Sequence, residues 1–282
     1  MVRATAGFYA DQPLGDHGTL PPDTRGEWSL TLCPLTYAVP NMLWVIVALV
    51  VWLCWAWVAR WLMDNPRQDF ETGLVWRLMQ VYTRLVHRLK VEGREHIPAE
   101  PHPGPLLVVA NHTAGVDPLL VQSVCPFFLR WMMAADMQLP ALAGLWRWAE
   151  VIGVDRDGRE VAAAREAIRH LREGGVIGIF PEGNLERPAR HILPFLPGVG
   201  LIIAKTGTRV LPVVIEGTPQ VDPAWSSLWR PSRARLRFLP IVTYDAQQGA
   251  AHIAADLRAR FLEATGWPAC DEPDTRRDRK GK

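Results

Sequence analysis

The feature that most constrains the fold is a long run without any charged residue, from Met42 to Ala59. At about 1.5 Å per residue, a helix over this run would reach roughly 27 Å, just enough to cross the hydrocarbon core of a bilayer. The run contains Trp44, Trp52, Trp55 and Trp57, and tryptophan favours the membrane–water interface. We therefore expect residues 39–63 to form a membrane-anchoring helix. A helix lying in one leaflet and a buried core helix are the alternatives.

The charges on either side of this run predict its orientation. Residues 1–41 carry two basic and four acidic residues, whereas residues 60–95 carry seven arginines and lysines. Positively charged flanks stay on the cytoplasmic side of a membrane. The sequence thus predicts a single-pass or monotopic membrane protein whose C-terminal body lies on the cytoplasmic face. Residues 1–38, rich in proline and glycine, are predicted to be a flexible polar tail.

Overall charge and cysteine spacing exclude other classes. The net charge is +2, and the chain has no basic low-complexity arm, so nucleic acid is not an expected partner. The four cysteines are scattered and contain no C-x-x-C pair, which argues against a zinc site and against a disulfide framework. We expect no metal.

Residues 70–90 have an amphipathic pattern. Five apolar residues recur there at helical spacing: Leu74, Leu78, Val81, Leu85 and Leu89. Such a helix could rest at the bilayer interface or pack on the folded body. The pattern alone does not choose between the two.

Strand and helix patterns alternate in the rest of the chain. We predict strands at 106–110, 128–134, 176–180, 210–215 and 235–242, with helices at 140–150, 161–171, 198–206 and 250–264. This alternation predicts an α/β fold, a mixed and largely parallel sheet covered by helices, in one domain over residues 66–268. Residues 269–282 would be a charged tail.

Two strand ends carry loops with chemical groups. In the first, His112 is followed by Asp117 and Pro118. A turn helped by Gly115 could bring the carboxylate to one imidazole nitrogen and leave the other nitrogen as a base. Alternatively, Asp117 caps a helix that has proline at its first position.

The second loop follows the strand that ends at Phe180. Glu182 and Gly183 lie directly after Pro181. In α/β sheets, functional side chains gather where strands end, so Glu182 is a candidate site residue. An ordinary turn with a solvated carboxylate would have the same pattern.

The two loops together, N-H-x4-D and F-P-E-G, resemble the glycerolipid acyltransferase superfamily, which includes bacterial lysophosphatidic acid acyltransferases. Gly153–Arg156 and Leu211–Ile215 resemble two further blocks of that family, in the same order. The resemblance covers about residues 70–245. It implies a membrane-bound O-acyltransferase of phospholipid biosynthesis, without a metal, a cofactor or a covalent acyl-enzyme.

The resemblance also implies substrates and roles. The donor would be acyl-CoA or acyl-carrier protein, and the acceptor a lysolipid such as 1-acylglycerol-3-phosphate, met among membrane lipids. His112 would deprotonate the acceptor hydroxyl, and Asp117 would orient His112. The substrate-binding residues would be Asn111, Arg156, Glu182, Gly183 and Pro212, with Arg156 holding a phosphate.

Departures from the family pattern leave the acceptor open. Asn184 and Leu185 stand where the family's third block continues with threonine and arginine. Ala114 replaces a common serine, and Asp136 a frequent lysine. A lyso-ornithine lipid or a glycolipid therefore stays an alternative acceptor.

The segment 221–237 combines two tryptophans with four arginines. It could be an interfacial loop, a contact for coenzyme A phosphates, or an ordinary surface loop.

Acyl transfer has two rival functions. A serine esterase would need a G-x-S-x-G turn, and no serine of the chain has that setting. A non-catalytic membrane lipid-binding protein is the other rival. His112, Asp117 and Glu182 argue against it.

Overall fold

The computed structural model describes residues 42–155 and 160–271. The predicted tail 1–38, the candidate Arg156 and most of the predicted tail 269–282 lie outside these ranges. The chain divides into two units, residues 1–50 and 51–282. Helix α1 (Met42–Met63) contains the uncharged run. Within the described ranges, it is the one helix whose length and apolar composition would allow it to cross a membrane.

The second unit contains the sheet and the remaining helices. The strands are β1 (Lys90–Glu92), β2 (Leu106–Ala110), β3 (Arg130–Ala134), β4 (Ile152–Val154), β5 (Val176–Ile179), β6 (Arg209–Glu216) and β7 (Arg235–Phe238). The helices are α2 (Phe70–Leu85), α3 (Asp117–Gln122), α4 (Ala143–Trp148), α5 (Glu160–Arg172), α6 (Pro197–Thr206) and α7 (Ala250–Thr265).

The seven strands form one sheet in the order β1-β7-β6-β2-β5-β3-β4. Strands β6, β2, β5, β3 and β4 run parallel, and β7 is antiparallel to β6. The predicted mixed, largely parallel sheet is confirmed. Because β2, β5 and β6 are parallel neighbours, their carboxyl ends lie at the same edge of the sheet, where both predicted site loops begin.

Each face of the sheet is covered by a hydrophobic core. Successive residues of a strand point to opposite faces, so one strand contributes to both cores. In β2, Leu106 and Val108 belong to one core, and Leu107 and Val109 to the other. This arrangement explains why the central strands are continuous apolar runs rather than alternating ones.

Helix α2 presents its apolar stripe outward. Leu78, Val81 and Leu85 are exposed, whereas Thr72 and Thr83 are buried. The helix ends at Leu85, earlier than the predicted residue 90, and Leu89 packs against the core instead. The apolar stripe of α2 therefore does not face the folded body in the part of the chain that the structure describes.

Polar side chains attach α2 to the end of α3. The indole nitrogen of Trp76 donates to the Gln122 carbonyl oxygen at 3.1 Å, and the amide of Gln80 donates to the Ser123 carbonyl oxygen at 3.2 Å. The Thr83 hydroxyl donates to the Ser123 hydroxyl at 3.2 Å. Helix α2 thus turns its polar face to the protein.

Several predicted boundaries differ from the structure. Strand β7 ends at Phe238 rather than at residue 242, because Pro240 has no N–H to continue the ladder. The predicted helix 140–150 is a 3₁₀ turn, Pro140–Leu142, followed by the short helix α4. Strands β1 and β4 were not predicted, since three residues are too few for a periodic signal.

Candidate active site

The first site loop, residues 111–117, leaves the end of β2 and is fixed there by Asn111. The Asn111 side chain is fully buried. Its amide group donates to the Ile215 carbonyl oxygen at 3.0 Å, and its oxygen accepts from the Ile215 N–H at 2.7 Å. Asn111 therefore joins the loop to β6. Both ends of its side-chain amide thus bind protein, and its role in substrate binding stays a prediction.

His112 and Asp117 meet as the sequence predicted. The imidazole Nδ1 lies 3.0 Å from Asp117 Oδ2. The His112 side chain is 22% exposed, while that of Asp117 is fully buried. Among the described residues, His112 Nε2 has no hydrogen-bond partner. The ring thus has one nitrogen held by a carboxylate and one nitrogen available to a substrate.

The Asp117 carboxylate accepts further hydrogen bonds from its own turn. The N–H groups of Thr113 and Ala114 donate to Oδ2 at 2.6 and 2.8 Å, and the Thr113 hydroxyl donates to Oδ1 at 3.1 Å. The predicted alternative, in which Asp117 caps a helix, is wrong: α3 begins at Asp117 and its side chain turns back. These hydrogen bonds fix the position of the carboxylate beside His112.

An aromatic stack fixes the plane of the His112 ring. Phe180 stacks on the imidazole with ring centroids 4.0 Å apart, and Trp131 stacks on Phe180 at 4.9 Å. Gly178 leaves space for Trp131, since a Cβ there would lie 2.6 Å from the indole ring. Phe180, directly after β5, and Trp131 of β3 thereby support the base.

Glu182, from the second site loop, is buried beside the first loop. Its side chain is 4% exposed, and no hydrogen bond of good geometry reaches either carboxyl oxygen. Burial raises the pKa of the Glu182 carboxyl well above its ordinary value, and the nearby charges of Glu186 and Asp117 raise it further. The backbone N–H groups of His112 and Leu193 oppose this rise. Burial and like charge therefore both favour the protonated form of this acid.

Glu186 is a site residue that the sequence did not reveal. It is fully buried, and its N–H donates to the His112 carbonyl oxygen at 2.6 Å. Its Oε1 accepts from the Arg190 N–H and, at 3.0 Å, from the Gln220 amide. Burial also raises the pKa of Glu186, against the effect of these hydrogen bonds. In the sequence, Glu186 is one more acidic residue close to Glu182, and that position alone does not indicate a role.

The other predicted residues have different surroundings. Gly183 has φ +70 and is exposed, and a Cβ there would lie 2.7 Å from the Leu196 side chain. Pro212 is buried inside β6, opposite Val109 of β2. Arg156 lies outside the described residues. No group of histidine, cysteine and acidic side chains able to hold a metal occurs in the described ranges.

A cleft of about 620 Å³ lies next to the dyad. Its lining comes from the turn after β2, from the end of β6 and from three further segments. The lining residues are Thr113, Ala189, Arg190, Glu216, Gly217, Thr218, Gln220, Arg233, Arg235 and Trp267. Thr113 belongs to both the cleft and the Asp117 turn, so the cleft opens beside the base.

Several known proteins are similar to this chain over the region that contains the two site loops. Residues 88–216, which include both loops, match the family model described as Acyltransferase. The chain is 34% identical over 135 residues to a 1-acyl-sn-glycerol-3-phosphate acyltransferase of Borreliella burgdorferi, covering 46% of this chain and 52% of that protein. It is 25% identical over 169 residues to a chloroplastic 1-acyl-sn-glycerol-3-phosphate acyltransferase of Arabidopsis thaliana, and the match covers 58% of this chain and 46% of that protein. The matched part thus spans about half the length of these curated relatives.

A solved structure has the same fold. It is the crystal structure of PlsC, the 1-acyl-sn-glycerophosphate acyltransferase of Thermotoga maritima, with a TM-score of 0.55 and 26% sequence identity. The superposition covers 70% of this chain and 82% of that one.

Proposed function

We propose that this chain is an acyltransferase, because residues 88–216 match the family model of that description, and that it transfers a fatty acyl group to the hydroxyl of a lysolipid. The donor is a thioester, acyl-CoA or acyl-carrier protein. The acceptor is 1-acylglycerol-3-phosphate or a related lysolipid, and the product enters phospholipid biosynthesis. The observation that carries the proposal is the His112–Asp117 contact at 3.0 Å, with His112 Nε2 on the open side.

The proposed reaction is a direct transfer. His112 Nε2 takes the proton of the acceptor hydroxyl while the hydroxyl oxygen attacks the thioester carbonyl carbon. The C–S bond then breaks, and the imidazolium returns the proton to the leaving thiolate, so the products are an ester and a thiol. Asp117, in contact with Nδ1 of the ring, orients the imidazole and stabilises the imidazolium. General-base catalysis of this kind contributes about 10²–10⁴ in rate.

We further propose that the chain works at a membrane surface. Helix α1 has the length and composition of an anchor, and α2 exposes Leu74, Leu78 and Leu85 on one face. An outward apolar stripe fits a helix at the bilayer interface. By the charge asymmetry of its flanks, the body lies on the cytoplasmic side.

An acceptor panel tests the transferase proposal. Purified full-length protein in detergent receives radiolabelled acyl-CoA or acyl-carrier protein with 1-acylglycerol-3-phosphate, lysophosphatidylcholine, a lyso-ornithine lipid or a glycolipid. We expect acyl transfer to at least one acceptor, a loss of about 10²–10⁴-fold in kcat for His112→Ala, and no loss for His102→Ala, an exposed histidine away from the site. Absence of transfer to every acceptor would support the lipid-binding alternative, and full activity of His112→Ala would contradict the mechanism.

Membrane attachment has its own test. Alkaline carbonate extraction of membranes that contain the full chain should leave the protein in the pellet. Protease added to sealed inverted vesicles should digest the body. Complete release by carbonate, or protection of the body in these vesicles, would contradict the anchor or its orientation.

A further inference from the structure

The cleft beside the dyad, called here the arginine cleft, has three arginines in its lining. Arg190 comes from the loop after β5, whereas Arg233 and Arg235 come from the start of β7 and the residues just before it, and all three are exposed. Like charges in one concave surface repel each other unless an anion lies between them. The arginine cleft therefore has the charge of a site for an anionic group.

Two of these arginines lack a carboxylate partner among the residues that the structure describes. Within the described ranges, the guanidinium groups of Arg190 and Arg233 make no ion pair. Arg235 faces Glu92 at 3.4 Å, and Glu216, a carboxylate of the lining, faces Arg237 at 3.8 Å. The carboxylate of Glu216 is thus already paired with Arg237. The guanidinium N–H groups of Arg190 and Arg233 therefore remain available to bind an anion.

A buried network joins the arginine cleft to the base. Glu186 holds the Arg190 N–H and the Gln220 amide on the cleft side, and its own N–H holds the His112 carbonyl oxygen. Arg190 has φ +56, a left-handed backbone that non-glycine residues rarely adopt. Such a conformation persists where the surroundings enforce it, and functional sites are its common location.

From this arrangement we infer that Arg190 and Arg233 bind a phosphate group of one of the two substrates in the arginine cleft. A guanidinium matches phosphate through paired N–H donors. The inference rests on the proposed function, because only a transferase brings two substrates to His112. The phosphate could belong to the lysolipid headgroup or to coenzyme A.

Kinetics of two single variants and their double variant distinguish these sources. We expect Arg190→Ala and Arg233→Ala each to raise one KM about tenfold or more, since each removes charge-assisted hydrogen bonds. A rise in KM for 1-acylglycerol-3-phosphate alone identifies the headgroup, and a rise for acyl-CoA alone identifies the donor. Arg190→Lys and Arg233→Lys should recover part of the loss. Arg230→Ala, an exposed arginine of the same segment outside the lining, is the matched control.

A binding measurement separates this inference from the proposed function. Calorimetry of the full chain with glycerol 3-phosphate and with adenosine 3′,5′-bisphosphate should show binding of one probe to wild type and its loss in the double variant. If wild type transfers no acyl group, the proposed function fails, and these probes still test the cleft. Unchanged KM values in the double variant, or equal probe binding by wild type and double variant, would overturn the inference.

Discussion

The two loops at the carboxyl edge of the sheet place their carboxylates in opposite environments. Asp117 is fully buried and accepts hydrogen bonds from two backbone N–H groups, a hydroxyl and the His112 ring. Glu182 is almost as buried, yet no well-formed hydrogen bond reaches it. Two similarly buried carboxyl groups can thus have very different hydrogen-bond surroundings. Donors surround Asp117 in the first loop, whereas burial and the charges of Glu186 and Asp117 raise the pKa of Glu182 in the second.

Replacing Asp117 should have the largest effect on activity of the changes that test this contrast between the two loops. Asp117→Asn keeps the shape but removes the charge that stabilises an imidazolium, and its amide N–H₂ cannot accept the N–H groups of Thr113 and Ala114. We expect kcat to fall about 10²–10⁴-fold, measured by steady-state acyl transfer. Asp64→Asn, a side chain 87% exposed at the end of α1, is the control. Near wild-type activity in Asp117→Asn would mean that the carboxylate is not needed by the base.

Replacing Glu182 should have an intermediate effect, seen in the pH dependence of stability. Because the folded-state pKa of Glu182 is raised, the unfolded chain loses this proton first as pH rises. Folding stability then decreases from the ordinary carboxyl pKa up to the raised one. Glu182→Gln has no proton to lose, so its Tm should fall less over this window, by about 2–4 °C for each kcal/mol recovered.

Thermal unfolding at several pH values measures this effect. Glu173→Gln, an exposed glutamate after α5, should keep the wild-type pH dependence. If Glu182→Gln shows the same slope as wild type, the carboxyl is ionised in the folded protein and the contrast between the loops is lost.

Removing one donor from the first loop should give the smallest effect. Thr113→Val deletes the hydroxyl that donates to Asp117 Oδ1 and keeps the backbone N–H that donates to Oδ2. We expect a loss of about 1 kcal/mol in the free energy of unfolding and a small fall in kcat. Chemical denaturation and acyl-transfer assays measure both, with Thr265→Val at the end of α7 as the control. A loss as large as that of Asp117→Asn would assign the hydroxyl a part in the reaction.

Much of the site could be predicted because it depends on local features. His112, Asp117 and Glu182 lie at the ends of strongly apolar strands, and parallel neighbouring strands bring such ends together. The role of Glu186 and the arginine cleft could not be predicted. They depend on how loops separated by 30 residues or more, such as those of Glu186 and Gln220, cross over the end of β6.

The orientation of α2 shows a second limit. Its helical periodicity was readable, but a stripe of leucines has the same pattern whether it meets protein or lipid. The orientation of α2 is set by its opposite face. There Trp76, Gln80 and Thr83 form hydrogen bonds with the last residue of α3 and the residue after it. Those partners are separated from α2 by about 40 residues and leave no trace in the local sequence.

The attachment of α2 to α3 has a kinetic consequence. The helix with the outward leucines holds the end of the helix that begins at Asp117. A lysolipid that diffuses in the bilayer plane could then meet the base without first dissolving in water. For such an enzyme the controlling variable is the mole fraction of acceptor in the surface. Adding inert lipid or detergent at constant total acceptor should therefore slow the reaction by dilution in two dimensions.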